Sequence, residues 1–205
     1  MQGNKLNWAV LARKHLFSLL MSQRPKTTNT ILLVLLLFGV IALTSLRLPA
    51  APEESISWAD VFEWLTREWP EVPQMSTAEL ARRMADDGDS RPLLIDVRTR
   101  REYEVSHLPG AVWAETSRQI QDVLDRHSNH HVIVLYCSVG VRSSNAAARL
   151  IQSGRTNVFG LQGSIFKWAN ERRPVIRDGK AVDVVHPYDE RWGTLLDSRL
   201  HPAQQ

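Results

Sequence analysis

Cys137 is the chain's only cysteine. Its solitude excludes an internal disulfide and a cysteine-rich zinc site, and it leaves one free thiol. The segment around it reads Val132-Ile133-Val134-Leu135-Tyr136-Cys137-Ser138-Val139-Gly140-Val141-Arg142-Ser143. An apolar strand of this kind delivers Cys137 to the carboxyl edge of a sheet, where ligands of parallel sheets bind. Ser138 to Val141 then folds as a tight loop leading into a helix. Successive amides in such a loop converge on an anion, aided by the positive end of the following helix. Gly140 permits the backbone angles this curvature needs. Arg142 adds a permanent cation and a planar fork for an oxyanion. Each effect favours thiolate over thiol, so the spacing predicts a nucleophilic Cys137 with a lowered pKa. The competing reading is a cysteine buried at a strand end, without chemistry.

The elements needed to hold this loop are present around it. Leu93-Leu94-Ile95 is a short buried-strand run ending at Asp96, and Arg101 to Val105 reads as a helical turn before the His107-Leu108-Pro109-Gly110 break. Ala111 to Trp113 is a brief strand, Ile120, Val123 and Leu124 mark a helix, and Val132 to Tyr136 is the strongest strand. A helix over 143–152, a strand over 157–161 and a helix over 165–171 follow. Ser76 and Glu79 form a capping-box signature for a helix that fades near Asp87-Gly88. Strands alternating with helices predict an α/β fold, a parallel sheet covered on both faces. Upstream, Trp58, Val61, Phe62, Leu65 and Trp69 recur at helical spacing until Pro70. That stripe predicts an amphipathic helix packed on its own domain. Trp64, off the stripe, keeps open a docking face for a partner or a membrane surface.

Charge is unevenly shared along the chain. Residues 1–52 hold six Lys/Arg and no acid, which leaves 19 Lys/Arg against 22 Asp/Glu in the rest. The net +3 therefore belongs to the tail, and the mildly acidic body is a poor binder of phosphate backbones. Nucleic acid is thereby excluded as a partner. Between Lys26 and Arg47 lie 20 uncharged residues with no polar face over Ile31 to Leu43. A helix of that length, about 30 Å, spans a bilayer. The sequence predicts a basic segment over 1–29, a transmembrane helix or signal anchor over 30–47, and a linker with the Trp-rich helix over 48–73. Leu48-Pro49-Ala50-Ala51-Pro52 makes a poor cleavage site, which favours an uncleaved anchor. A start at Met21 would leave an ordinary signal anchor. The surplus of Lys/Arg before the helix places the N-terminus in the cytoplasm and the body across the membrane. Membrane lipid is the partner this segment implies.

Over residues 74–177 the chain resembles the rhodanese-like superfamily of sulfurtransferases. Leu94-Ile95-Asp96-Val97-Arg98, Glu102-Tyr103 and His107-Leu108-Pro109-Gly110-Ala111 are similar to its first signature. Cys137 to Ser143 resembles its active-site loop, and Leu161, Gly163 and Trp168 its last motif. Ser164 stands where a second glycine is usual, and serine suits a helix N-cap. The resemblance implies a three-layer fold and a Cys137 persulfide. The sulfur would come from thiosulfate or a related small donor and pass to a thiol, cyanide or protein-cysteine acceptor, with no metal or organic cofactor. Four residues separate Cys137 from Arg142, as in the family's sulfurtransferases. Related phosphatases carry one more, so phosphatase activity is disfavoured. The alternative within the resemblance is a catalytically weak module that binds a partner or senses redox state at the membrane.

Backbone amides of Ser138, Val139, Gly140, Val141 and Arg142 form the implied anion-binding loop, with Ser138 and Ser143 as hydrogen-bond donors to it. Asp96, Arg98 and Glu102 read as structural support, pairing and capping the turn after the first strand. His107 reads as an anchor of the Pro-Gly turn rather than a base. His127, His130 and His131 crowd a loop without carboxylate support, so no metal site is expected there. The tail over 178–205 is expected to pack back over the domain, or to form an acceptor-binding rim.

Overall fold

The computed structural model describes residues 56–86, 91–127 and 132–203. The chain divides into two units, Met1–Glu53 and Glu54–Gln205, and every described residue lies in the second. The expected membrane segment over 30–47, the basic segment before it, and His130 and His131 lie outside the described residues. Among the described residues no helix is long and apolar enough to cross a membrane.

Five strands form the sheet: β1 (Gln74–Met75), β2 (Leu93–Asp96), β3 (Val112–Trp113), β4 (Ile133–Tyr136) and β5 (Val158–Leu161). Their order is β1-β5-β4-β2-β3 and every pairing is parallel. β4 is central, buried at all its positions, and pairs with β2 from Leu93↔Ile133 to Asp96↔Tyr136. Successive side chains of a strand point to opposite faces, and this splits the apolar residues into two cores. Leu94, Val134, Tyr136 and Leu161 join one. Leu93, Ile95, Ile133, Leu135 and Cys137 join the other, under Ile120, Val123 and Leu124 of the helix Ser117–Arg126 and Ala147 and Ala148 of the helix Val141–Gln152. The result is the α/β arrangement, a parallel sheet flanked by helices.

The first core extends beyond residues 74–177. Val61 and Leu65 of the helix Trp58–Glu68 enter it, and so do Val185, Leu195, Leu196 and Leu200 from the tail. Ser57 opens that helix with a capping box to Asp60, as S/T/D-type starts do. Trp64, off the main stripe, stacks on Trp192 of the tail at 6.2 Å and 12°. Among the elements without a counterpart in the sequence reading are β1 and a hairpin. β1 is too short to show any period. The antiparallel hairpin β6 (Val175–Arg177) and β7 (Lys180–Val182) turns at Asp178-Gly179, both at positive φ, and Asp-Gly is its recognisable signal.

Candidate active site

β4 ends at Tyr136, so Cys137 emerges at the carboxyl edge of the central strand. It is 1 % exposed. Ser138, Val139 and Gly140 are buried beside it, and the helix Val141–Gln152 begins directly after. The loop is held from behind by the helix Ser164–Asn170. The amides of Ile165 and Phe166 donate to the carbonyls of Cys137 and Ser138 at 3.2 and 3.1 Å. Ser164 does not cap that helix as expected: Gly163 occupies the N-cap position, in the left-handed region. The Ser164 hydroxyl instead accepts from the Cys137 amide at 3.2 Å and donates to the Leu161 carbonyl. A serine in place of the usual glycine thus ties the cysteine to the next strand.

Gly140 has φ +126, and a Cβ there would lie 2.7 Å from Leu65 Cδ1. Only glycine accepts both conditions. The contact also shows what the Trp-rich helix does locally, since its Leu65 closes the space behind the loop.

The thiol environment is polar at short range. The Gly140 amide donates to Cys137 Sγ at 3.2 Å, and the Ser143 hydroxyl reaches Sγ at 3.7 Å while donating to the Gly140 carbonyl at 3.0 Å. Burial pushes the thiol pKa up, but the Arg142 charge and the amides of Ser143 and Gly140 outweigh it, and the thiol sits below its ordinary value. Val139 buries its side chain in the first core and Val141 packs against that core.

The Arg142 fork is not presented to an incoming oxyanion. Nη1 and Nη2 donate to Glu102 Oε2 and Oε1 at 2.8 and 2.7 Å, and Nη2 also donates to the Ser138 hydroxyl at 3.0 Å. Ser138 in turn donates to Glu102 Oε1 at 3.1 Å. Ser138 is therefore turned toward this network. Burial disfavours both charges, yet their mutual bonds raise the Arg142 pKa and hold Glu102 at about 2. Glu102, read from sequence as part of the turn, does two things: it completes a capping box with Thr99 and it carries Arg142 across 40 positions of sequence.

Asp96 and Arg98 form a separate pair, both 0 % exposed. Asp96 accepts from the Arg98 amide at 3.0 Å and from Nη2 at 2.7 Å, and Nη2 also donates to the Ser106 carbonyl at 2.6 Å. His107 stacks on Tyr103 with centroids 3.9 Å apart and exchanges backbone bonds with Ile176 of β6. His127 is the C-cap residue of the helix Ser117–Arg126. Among the described residues no group of three or more His, Cys, Asp and Glu could hold a metal.

Sequence reasoning missed Tyr188. The ring lies over the Arg142 guanidinium with 4.6 Å from Cζ to its centroid. The backbone nitrogen of Tyr188 donates to His186 Nδ1 at 3.0 Å. No local pattern announces this contact; the sequence predicts only that the tail packs on the domain or forms an acceptor-binding rim.

Comparison with known proteins adds a family resemblance. Residues 76–171 match the family model described as rhodanese-like domain. The tRNA uridine(34) hydroxylase of Yersinia enterocolitica is 32 % identical over 124 residues, covering 58 % of this chain and 35 % of that protein. The chain thus spans about a third of the length of the curated relatives it matches. A thiosulfate sulfurtransferase from Pseudomonas aeruginosa overlays with a TM-score of 0.47 at 20 % identity, covering 60 % of this chain and 25 % of that one. A rhodanese-like domain protein from Staphylococcus aureus overlays at 0.41 and 23 %, covering 47 % and 91 %. The family match lies across β2, β4, β5 and the Cys137 loop between them, so residues 76–171 are similar to a rhodanese-like domain.

Proposed function

We propose that the chain is a membrane-tethered, rhodanese-like module with Cys137 as its reacting thiol, kept closed enough that it turns over free donors slowly and serves to bind a partner. The observation that carries this reading is the enclosure of the thiol: Cys137 is 1 % exposed, and the arginine beside it is occupied by Glu102. A second reading, full sulfurtransferase activity, is favoured by the lowered thiol pKa that Arg142 and the loop amides produce against burial. In that chemistry the Cys137 thiolate attacks the outer sulfur of thiosulfate. A new S–S bond forms, the donor's S–S bond breaks, and sulfite leaves with the electron pair. Cyanide then attacks the outer sulfur of the persulfide, giving thiocyanate and restoring the thiolate.

The full chain with thiosulfate and cyanide separates the two. The first reading expects thiocyanate below about one turnover per second, under the range of ordinary enzymes, and none from Cys137→Ser. Turnover at tens per second, with a sulfur-mass adduct on Cys137, establishes the second reading instead. Formation that survives Cys137→Ser overturns both.

The tether rests on the 20 uncharged residues between Lys26 and Arg47. The full chain is expected to stay in the membrane pellet under alkaline carbonate and to be released by detergent. Release by carbonate alone overturns the tether.

A further inference from the structure

Tyr188 combines three features that nothing in the family match accounts for. It is the one exposed large hydrophobic among the described residues, at 44 %. Its backbone sits at φ +69, a region that bulky side chains rarely adopt. The Asp189 amide donates to the Pro187 carbonyl across it at 3.0 Å, which makes Tyr188 the centre of a γ-turn of the rarer, strained hand. Strain of this kind persists only where surroundings hold it, and it gathers at ligand clamps and switch segments.

The surroundings are on both flanks. Before the turn, the Ser106 hydroxyl donates to the Val184 carbonyl at 2.6 Å, and buried Val185 donates to the Leu200 carbonyl at 2.8 Å. After it, Asp189 caps the short helix Glu190–Gly193 through the Trp192 amide. Only His186, Pro187 and Tyr188 lie between these anchors. Pro187 and Asp189 line an open cleft of about 990 Å³ on one side. Tyr188 is not in its wall and lies instead on Arg142. The edge of the guanidinium is taken by Glu102 and Ser138, and one face by this ring.

We propose that Tyr188 is the gate of the Cys137 site: its ring, held on Arg142 by a strained turn, excludes sulfur-bearing anions until the 186–188 segment lifts. It acts through Arg142 and admits small donors such as thiosulfate more readily than bulky persulfides of thiol peptides. The inference rests on Cys137 being the reacting thiol, and it does not require sulfur transfer.

The test is alkylation of the full chain by uncharged iodoacetamide, followed by mass spectrometry, with N-ethylmaleimide as the larger probe. A gate open for about 1–10 % of the time slows the reaction roughly ten- to hundredfold. Tyr188→Ala is therefore expected to label at least about tenfold faster, with the larger gain for N-ethylmaleimide. Tyr188→Phe, which keeps the ring on the cation, should label at the parent rate. Tyr188→Gly, which also suits the positive φ, should label as fast as the alanine variant. Equal rates for parent, alanine and glycine variants overturn the gate, as does a phenylalanine variant that labels as fast as alanine. Alkylation needs only the thiol, so absence of thiocyanate from every variant bears on the sulfur chemistry alone.

Discussion

Glu102→Gln is expected to lower stability by roughly 2–3 kcal/mol at neutral pH, and the deficit should vanish in acid. Glu102 is 2 % exposed. Burial opposes its charge, but bonds from Arg142 and Thr99 bring its pKa from 4.5 to about 2. That gap corresponds to about 3 kcal/mol of stabilisation, reduced somewhat because Arg142 is 30 % exposed and water screens the pair. Glutamine keeps the shape and loses the charge. Its amide nitrogen cannot accept from the guanidinium, so Arg142 loses a bond and its counter-charge together.

The direction with pH follows from which state has the lower pKa. The folded carboxyl is the more acidic, so its contribution is complete above the unfolded value near 4.5 and drains away as pH falls toward about 2. Urea unfolding of parent and variant at neutral pH, near pH 4.5 and at about pH 3 should show the two curves converging downward. Parallel curves, with the same gap at every pH, would mean that Glu102 is not held by its charge.

The Glu102–Arg142 pair also changes how the site's electrostatics is understood. From sequence, Arg142 is a cation that both holds the loop and attracts an anion. In the fold its fork faces a carboxylate, and the thiol receives what remains of its field together with the Gly140 and Ser143 amides. The pull on Cys137 still exceeds the burial penalty. It is a directional field close to Sγ, and it coexists with a body whose net charge is negative.

The loop was readable because strand, cysteine, glycine and arginine fall in one uninterrupted run, where each residue type carries its own conformational or electrostatic meaning. The alternation of strands and helices was readable for the same reason: Leu93 to Ile95, ending at Asp96, and Ile133 to Tyr136 are apolar runs of strand length. What escaped depends on pairs far apart in sequence. Glu102 meets Arg142 across 40 positions and Ser164 meets Cys137 across 27. No period or local motif encodes such a pairing. β1 exists only because Gln74 and Met75 complete the edge of β5. Tyr188 reaches Arg142 only through the path of the tail, which is set by Val185 and Leu200 entering the core. Ser164 shows the limit most clearly. A serine ahead of a helix suggests a cap, yet its hydroxyl serves the cysteine's amide because the loop lies within reach and Gly163 has taken the N-cap position.

Asp96→Ala is expected to be the most destabilising single change in the described domain, at about 3–5 kcal/mol. Asp96 and Arg98 are both wholly buried, and burial disfavours the Arg98 charge while Asp96 restores it, leaving its pKa above the ordinary value. Removing the carboxylate strands a guanidinium with no water to receive it. One of its terminal nitrogens, Nη1, already lacks a partner among the described residues, so the site has no spare acceptor to offer. The Arg98 amide loses its bond to Asp96 Oδ1 at the same time. Total stabilities of about 5–15 kcal/mol make such a loss close to unfolding, and it would appear as a lower urea midpoint at unchanged slope. The double replacement Asp96→Leu with Arg98→Met should recover part of the loss, because a buried ion pair exchanged for apolar side chains is often near neutral. Recovery should stop short of the parent, since the Ser106 carbonyl would still lack the Nη2 donor it now has at 2.6 Å. A cost under about 1 kcal/mol for Asp96→Ala would show that Arg98 escapes to water when released, and that the turn after β2 is held by Thr99 and Glu102 instead.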